Sequence, residues 1–369
     1  MDDGVFLPVA NNGWIMSETA PQYMPTFELN KDICARAEAG GFDFVLGMVK
    51  FRGYGGRTEM WDYAADSFTL LAGLAAATST LRLYATVATL TMHPAVTARM
   101  AATIADISGG RFGVNVVSGW NKLEYSQMGL WPGDDFYHER YEYTTEYVEV
   151  LTQLWKTGQV THDGASFTLE DCVCKPVPAP RIPLVFAGQS ERDMQLTAEY
   201  GDYNFMIGAT LDELTAFCDL LAHAASKTGR TVGAYALFGI IAAATDKEAR
   251  ALAEHYLEGT DHEAIANQTT TADGDKGGTI GTLLGSERPM TPPVEFPDET
   301  TPALVQGACF MAPQLVGSYD RIAHYLNELE TRLGIAGVIL TFPDFPTGVT
   351  EFAEQVLPRV RAAAPAATH

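Results

Sequence analysis

Leu81-Arg-Leu-Tyr-Ala-Thr-Val87, then Pro94 to Ile107, then Arg111-Phe-Gly-Val-Asn-Val-Val117 follow one another with only short breaks between them. The outer two runs are apolar, β-branched and aromatic, which is how buried strands read. The middle run spaces its apolar residues at helical intervals and carries proline in its first turn, where a missing N–H costs nothing. Strand, helix and strand in that order make a parallel pair joined by a crossover.

Outward from this unit the alternation continues. Strands are expected at Gly4–Pro8, Phe42–Met48, Leu184–Ala187, Tyr203–Met206, Ala234–Ala242 and Gly337–Thr341, which with the first two make eight. Helices are expected at Asp66–Thr78, Arg140–Trp155, Ser190–Tyr200, Thr210–Thr228, Asp246–Glu258 and Ser318–Leu333. Eight parallel strands separated by helices close into an α/β fold, the (β/α)8 TIM barrel. A doubly wound open sheet competes with it. Against that sheet, Asn11-Asn-Gly-Trp14 follows the first strand, where a dinucleotide fold carries G-x-G-x-x-G. The 369 residues suit one large barrel domain over 1–369 with two insertions. Residues 159–180 alternate around Asp163-Gly164 as a hairpin does. Residues 259–311, with five prolines between Pro289 and Pro302, read as a long loop, either a functional lid or a disordered segment.

Hydrophobic residues at 47% and charged residues at 19% allow a packed core. A net charge of −22 repels phosphate backbones and argues against nucleic acid, whereas a small anion needs only a few placed cations. Five scattered cysteines form no disulfide framework or zinc pattern. The acidic start Met1-Asp-Asp-Gly4 and the lack of a long apolar run point to a cytoplasmic protein with no membrane partner.

The working residues of a TIM barrel sit at the C-terminal ends of its strands. That rule selects Met48, Val49 and Lys50, with the glycine-rich Arg52–Arg57, after strand two. It selects Thr86 at the end of strand three, Asn115, Ser118, Trp120 and Glu124 around the end of strand four, and Gly188-Gln189-Ser190 after strand five. Each has a plain structural reading. Lys50 and Glu124 read as solvated charges, and Thr86 and Asn115 as hydrogen-bonded core polars. Ser190 reads as a helix N-cap, although a helix start also offers N–H groups to a phosphate. His93 reads as structural. With no nucleophile elbow, H-E-x-x-H or P-loop, a bound cofactor explains the barrel better than hydrolase or kinase chemistry.

Ser108-Gly-Gly-Arg-Phe-Gly-Val-Asn115, followed by Gly119-Trp120, resembles the bacterial-luciferase-like flavin monooxygenases. Longer blocks narrow the likeness to the pyrimidine oxygenases among them. These are Asn11–Trp14, Ala20–Lys31, Thr58-Glu59, Trp61-Asp62, Ala98–Ile104, Trp131–Asp135, Ala187–Ser190, Asn204-Phe205 and Leu315–Tyr319. The resemblance covers nearly the whole chain except about residues 263–311. It implies a two-component monooxygenase that takes reduced FMN from a separate NAD(P)H-dependent flavin reductase. With O2 this gives a flavin-N5-peroxide, which opens the ring amide of a pyrimidine such as uracil or thymine to a ureidoacrylate-type product. FMN contacts are implied at Val49, Lys50, Asn115, Glu124, Arg140, Tyr141 and Ser190, and a dioxygen site at Thr86 and Asn115. Leu46, Met48, Trp120 and Phe205 are implied as the apolar substrate and oxygen pocket, with Lys50 and Glu124 as its polar anchors. The chain departs from the pattern at Met92-His93, at Met206-Ile207 and through 259–311. Two other readings stay open: the same chemistry on another nitrogen heterocycle or a sulfur compound, and a non-catalytic flavin- or deazaflavin-binding barrel. A homo-oligomer is compatible with the sequence.

Overall fold

In a computed structural model, which describes residues 1–208, 210–273, 296 and 304–363, strand β1 (Asp2–Leu7) leads to helix α1 (Phe27–Gly40) and β2 (Phe44–Gly47). Next come α2 (Ser67–Ala77), β3 (Arg82–Ala88), α3 (Pro94–Ile107), β4 (Phe112–Val117), α4 (Lys122–Ser126) and α5 (Phe136–Thr157). The hairpin β5 (Gln159–Asp163) and β6 (Thr168–Val173) precedes β7 (Leu184–Ala187), α6 (Glu191–Tyr200), β8 (Tyr203–Met206), α7 (Leu211–Thr228) and β9 (Gly233–Ala243). Then follow α8 (Asp246–Glu258), α9 (His262–Ala272), β10 (Leu304–Gly307), β11 (Phe310–Ser318), α10 (Tyr319–Leu333) and β12 (Gly337–Thr341). Helix α11 (Phe345–Glu351) runs through a π turn into α12 (Leu357–Ala363).

Among the described residues, β1, β2, β3, β4, β7, β8, β9 and β12 pair in that order, all parallel, and β12 pairs back to β1. The sheet is a closed (β/α)8 barrel, which removes the open-sheet alternative. Its strands are the eight expected from the sequence, with small shifts at their ends. The helix expected from Arg140 begins earlier, at Phe136, because Phe136 is buried against Trp131, 5.4 Å between ring centroids. The first insertion is the expected antiparallel hairpin.

The second insertion is not one long loop. It contains α9, β10 and the start of β11, while residues 274–295 and 297–303 lie outside the described residues. β10 and β11 are antiparallel, and β11 runs parallel to the upper half of β9. Strand β9 is therefore shared. Residues Tyr235 to Gly239 pair with β12 inside the barrel, and Gly239 to Ala243 pair with β11 outside it.

Alternation along the strands sends Phe44, Tyr84, Tyr203 and Tyr235 to the barrel floor. Their rings pack closely: Phe44 and Tyr235 stack at 4.7 Å, Tyr203 and Tyr235 at 4.3 Å. Tyr235 Oη donates to Asp2 Oδ2 at 3.0 Å, and Arg82 closes the ring of contacts with a 2.7 Å ion pair to the same carboxylate. Gly113 is required here, since a Cβ would sit 2.4 Å from the Tyr84 ring. On the other face of β1, Asp3 is 2% exposed and its Oδ1 has no partner. Burial first, and then the charge of Asp43, push its carboxyl up to about 7.

Candidate active site

At the opposite end, Thr86 on β3 and Asn115 on β4 are register partners, so both side chains enter the barrel mouth together. Asn115 Nδ2 donates to Thr86 Oγ1 at 3.0 Å, and Thr86 Oγ1 donates to Gly47 O at 2.6 Å. This chain of bonds fixes the Asn115 amide and leaves its Oδ1 buried with no partner.

The loops after β1 and β2 interlock above this pair. Asn11 Nδ2 donates to Glu59 O (2.9 Å), Asn12 Nδ2 to Thr58 O (2.6 Å) and Trp61 Nε1 to Gly13 O (2.7 Å). The result is an aromatic roof, with Trp14 edge-on to Trp61 at 5.0 Å and Tyr54 beside Trp61 at 5.5 Å. The glycine-rich segment is no free surface loop. Asp261, which caps α9, accepts from Thr58 N and Oγ1 at 2.8 and 2.9 Å. Gly56, at φ +76°, lies so close that a Cβ would stand 2.6 Å from the Asp261 carboxylate.

Under the roof, Lys50 Nζ is paired with Glu124 Oε1 and lies over the rings of Tyr54 and Trp61 at 4.5 and 5.5 Å. Glu124 also accepts from Asn121 Nδ2 at 2.8 Å and Phe51 N at 3.2 Å. The two are 8% and 6% exposed, so the solvated-charge reading fails for both. Burial, which favours the neutral amine, is outweighed by Tyr54 and Glu124, and the Lys50 ammonium is held above its ordinary range.

On the far wall the Arg140 guanidinium stacks over Tyr137 (3.9 Å) and Tyr141 (4.7 Å), and its Nη2 donates to Tyr141 Oη at 3.3 Å. Tyr141 Oη in turn reaches Ser190 Oγ and Asp193 Oδ2, both at 3.1 Å. Ser190 is the N-cap of α6, with Asp193 completing a capping box. Burial pushes the Asp193 carboxyl up, against the opposing pull of Ser190, Tyr141 and Arg140.

These groups surround a cavity of about 220 Å³. Of the residues expected from the sequence, Met48, Val49, Lys50, Thr86, Asn115, Trp120, Glu124, Arg140, Tyr141 and Phe205 line it. Two stand apart. Leu46 lies one layer below Met48, packed in the barrel interior with Phe44 and Tyr84, because alternate residues of β2 descend toward the floor. Ser190 meets the cavity through Tyr141. His93 is structural: its Nδ1 accepts from Ala95 N and caps α3.

Tyr54 and Gln189, in segments that the strand-end rule selected, line the cavity too, as do Trp14, Trp61, Asp193, Gln268 and Met311. The same rule could have found Trp14 and Trp61, which follow β1 and β2. Gln268 lay hidden in a stretch read as loop. Among the described residues no helix is long and apolar enough to cross a membrane.

Residues 1–335 match the model of the luciferase-like monooxygenase family. The chain is 49% identical over 364 residues to pyrimidine monooxygenase RutA of Klebsiella pneumoniae (strain 342), which covers 98% of this chain and 96% of that protein. It is 48% identical over 373 residues to RutA of Escherichia coli (strain SMS-3-5 / SECEC), covering 100% and 99%. Two solved structures share the fold at a TM-score of 0.78, with 98% of this chain and 91% of the other covered. They are riboflavin lyase RcaE, 21% identical, and long-chain alkane monooxygenase LadA, 20% identical. By its sequence and its barrel alike, the chain belongs to the luciferase-like monooxygenase family.

Proposed function

We propose that the protein is an FMN-dependent, two-component monooxygenase acting on a pyrimidine such as uracil or thymine. Reduced FMN, delivered by a separate NAD(P)H-dependent reductase, would supply the electrons that activate O2 for opening the ring amide to a ureidoacrylate-type product. A cytoplasmic setting goes with this reading. The observation that carries it is one cavity holding an unpaired buried acceptor, Asn115 Oδ1, next to the Lys50–Glu124 pair under an aromatic roof. The name carried by relatives 48–49% identical over nearly the whole chain supports the pyrimidine as substrate.

The residues suit the cofactor. A reduced isoalloxazine carries N–H donors, and Asn115 Oδ1 is an acceptor whose orientation Thr86 has already set. Arg140 and the start of α6 offer charge and N–H groups to a phosphate that a protein of net charge −22 would otherwise repel. Burial raises the Asp193 carboxyl, which eases its repulsion of that phosphate.

Thr86 gives its hydroxyl proton to Gly47, so its part at the dioxygen site is to position Asn115 and not to donate. Met48, Trp120 and Phe205 keep water away from the reacting centre. As a pair, Lys50 and Glu124 present a donor and an acceptor to a pyrimidine edge, which carries both carbonyls and N–H groups.

The test is turnover with FMN, a flavin reductase, NADH and 18O2 across a panel of heterocycles, followed by product mass. Uracil or thymine should give a ring-opened product that carries 18O. Hydrogen peroxide alone across the panel rejects the substrate, and no flavin-dependent oxygen uptake at all leaves a binding barrel.

A further inference from the structure

Helix α9 brings one more polar side chain to the cavity. Its first turn is held by Asp261, which accepts from Ala264 N at 3.1 Å while also holding Thr58. Its middle is tied down by Asn267, whose Nδ2 donates to Tyr54 O at 2.8 Å. The next residue, Gln268, is 6% exposed and lines the cavity, and its Nε2 is buried with no hydrogen-bond partner. An unpaired buried amide donor is costly to keep, so its presence at a binding cavity calls for an acceptor that arrives with the ligand. Of the other polar groups that line this cavity, Asn115 Oδ1 is the acceptor suited to the flavin. Lys50 and Glu124 hold each other, and Thr86 bonds Gly47 and Asn115.

We propose that Gln268 is a specificity-determining residue whose Nε2 donates to a ring carbonyl of the substrate. The proposal rests on the pyrimidine reading above. A cyclic imide such as uracil has two carbonyls, one of which belongs to the amide that is opened. Gln268 comes from the roof side, on the helix tied to Tyr54, and the carbonyl assigned to it is the other one, between the two ring nitrogens, which stays intact through the reaction. This makes the second insertion, through α9, the element that distinguishes a two-carbonyl ring from a one-carbonyl ring.

The experiment compares uracil with 4-pyrimidinone, which lacks that carbonyl, in Gln268→Leu and Gln268→Glu with FMN saturating. Both variants should raise KM for uracil about five- to fiftyfold, the second because a carboxylate has no N–H to donate. FMN affinity and the kinetics of 4-pyrimidinone should stay within about twofold of wild type. Uracil KM unchanged in both variants overturns the proposal. A wild-type protein that turns over no pyrimidine fails the parent reading instead, and a second measurement then decides Gln268 by itself. In protein without flavin or substrate, Gln268→Leu removes an unpaired donor and should raise Tm by about 1–3 °C. A lowered Tm means that the amide already has its partner, and the proposal falls.

Discussion

The two ends of this barrel both set an ion pair against aromatic rings, and they use it in opposite ways. At the floor, Asp2 is closed off by Arg82 and Tyr235, and stacked tyrosines fill the space up to the backbone of Gly113. At the mouth, Lys50 and Glu124 are far more deeply buried than the partly exposed Asp2 and Arg82, yet a cavity remains, and Asn115 and Gln268 each keep a buried polar atom without a partner. An ion pair among aromatic rings alone therefore does not mark a site. Unused hydrogen-bonding capacity marks one only where it borders a cavity, since Tyr23, Asn30, Asn204 and Tyr325 also keep an unpartnered buried atom away from the mouth. Asp3 tests the rule from the other side: it too has an unpaired oxygen, but it faces Arg361 of the helix layer and no cavity of the barrel mouth.

The largest effect should come from the mouth. Lys50→Met leaves Glu124 buried without its cation, which should cost about 3–5 kcal/mol in urea unfolding. It should also lower kcat/KM more than about a hundredfold with FMN saturating. The double variant Lys50→Met/Glu124→Leu should regain most of the stability and stay inactive. If it works as well as wild type, the pair belongs with the floor and not with the substrate.

At the floor, Asp3→Asn should stabilise the protein in a pH-dependent way. The carboxyl is raised from 3.8 to about 7 on folding, so its contribution to stability is fully present below about 4 and is lost as pH rises through 7. Between pH 5 and 8 wild type should lose about 3 kcal/mol that the asparagine variant keeps. Parallel stability curves for the two proteins would show that Asp3 ionises normally.

Arg140→Ala should weaken FMN by about 1.5–3 kcal/mol through loss of a charge-assisted phosphate contact. Riboflavin, which lacks the phosphate, should bind nearly as before. Equal losses in a titration of both would assign Arg140 to the support of Tyr137 and Tyr141 alone. The smallest change is Thr86→Val, at about 1–2 kcal/mol of stability, because it frees Gly47 O and Asn115 Nδ2. Oxygenation should fall more than FMN affinity. A wild-type turnover rate would remove Thr86 from the oxygen site.

What could be read in advance follows from the physics of each segment. Parallel strands buried on both faces read as apolar runs, and Pro94–Ile107 and Asp246–Glu258 were legible to the residue because proline or a capping box announces their starts. The mouth was legible as a list of strand ends. That Lys50 and Glu124 touch was not, since strand position assigns a face and says nothing of contact between side chains far apart in the chain. α9 was hidden by its neighbours: the glycines and prolines that follow it made the whole stretch look irregular, although Ala264, Gln268 and Ala272 fall at helical spacing. β11 carries Pro313 inside its run, which argued against a strand from sequence alone.

The double membership of β9 bears on how this fold could be recombined. The natural unit of exchange in a (β/α)8 barrel is one strand with its following helix. Here a crossover placed between β9 and β11 would separate Gly239–Ala243 from the strand it pairs with above the barrel rim and leave a raw sheet edge. Chimeras among relatives should therefore carry everything from Gly233 to Ser318 as one cassette, so that the extra hairpin, α9 and the strand that holds them travel together.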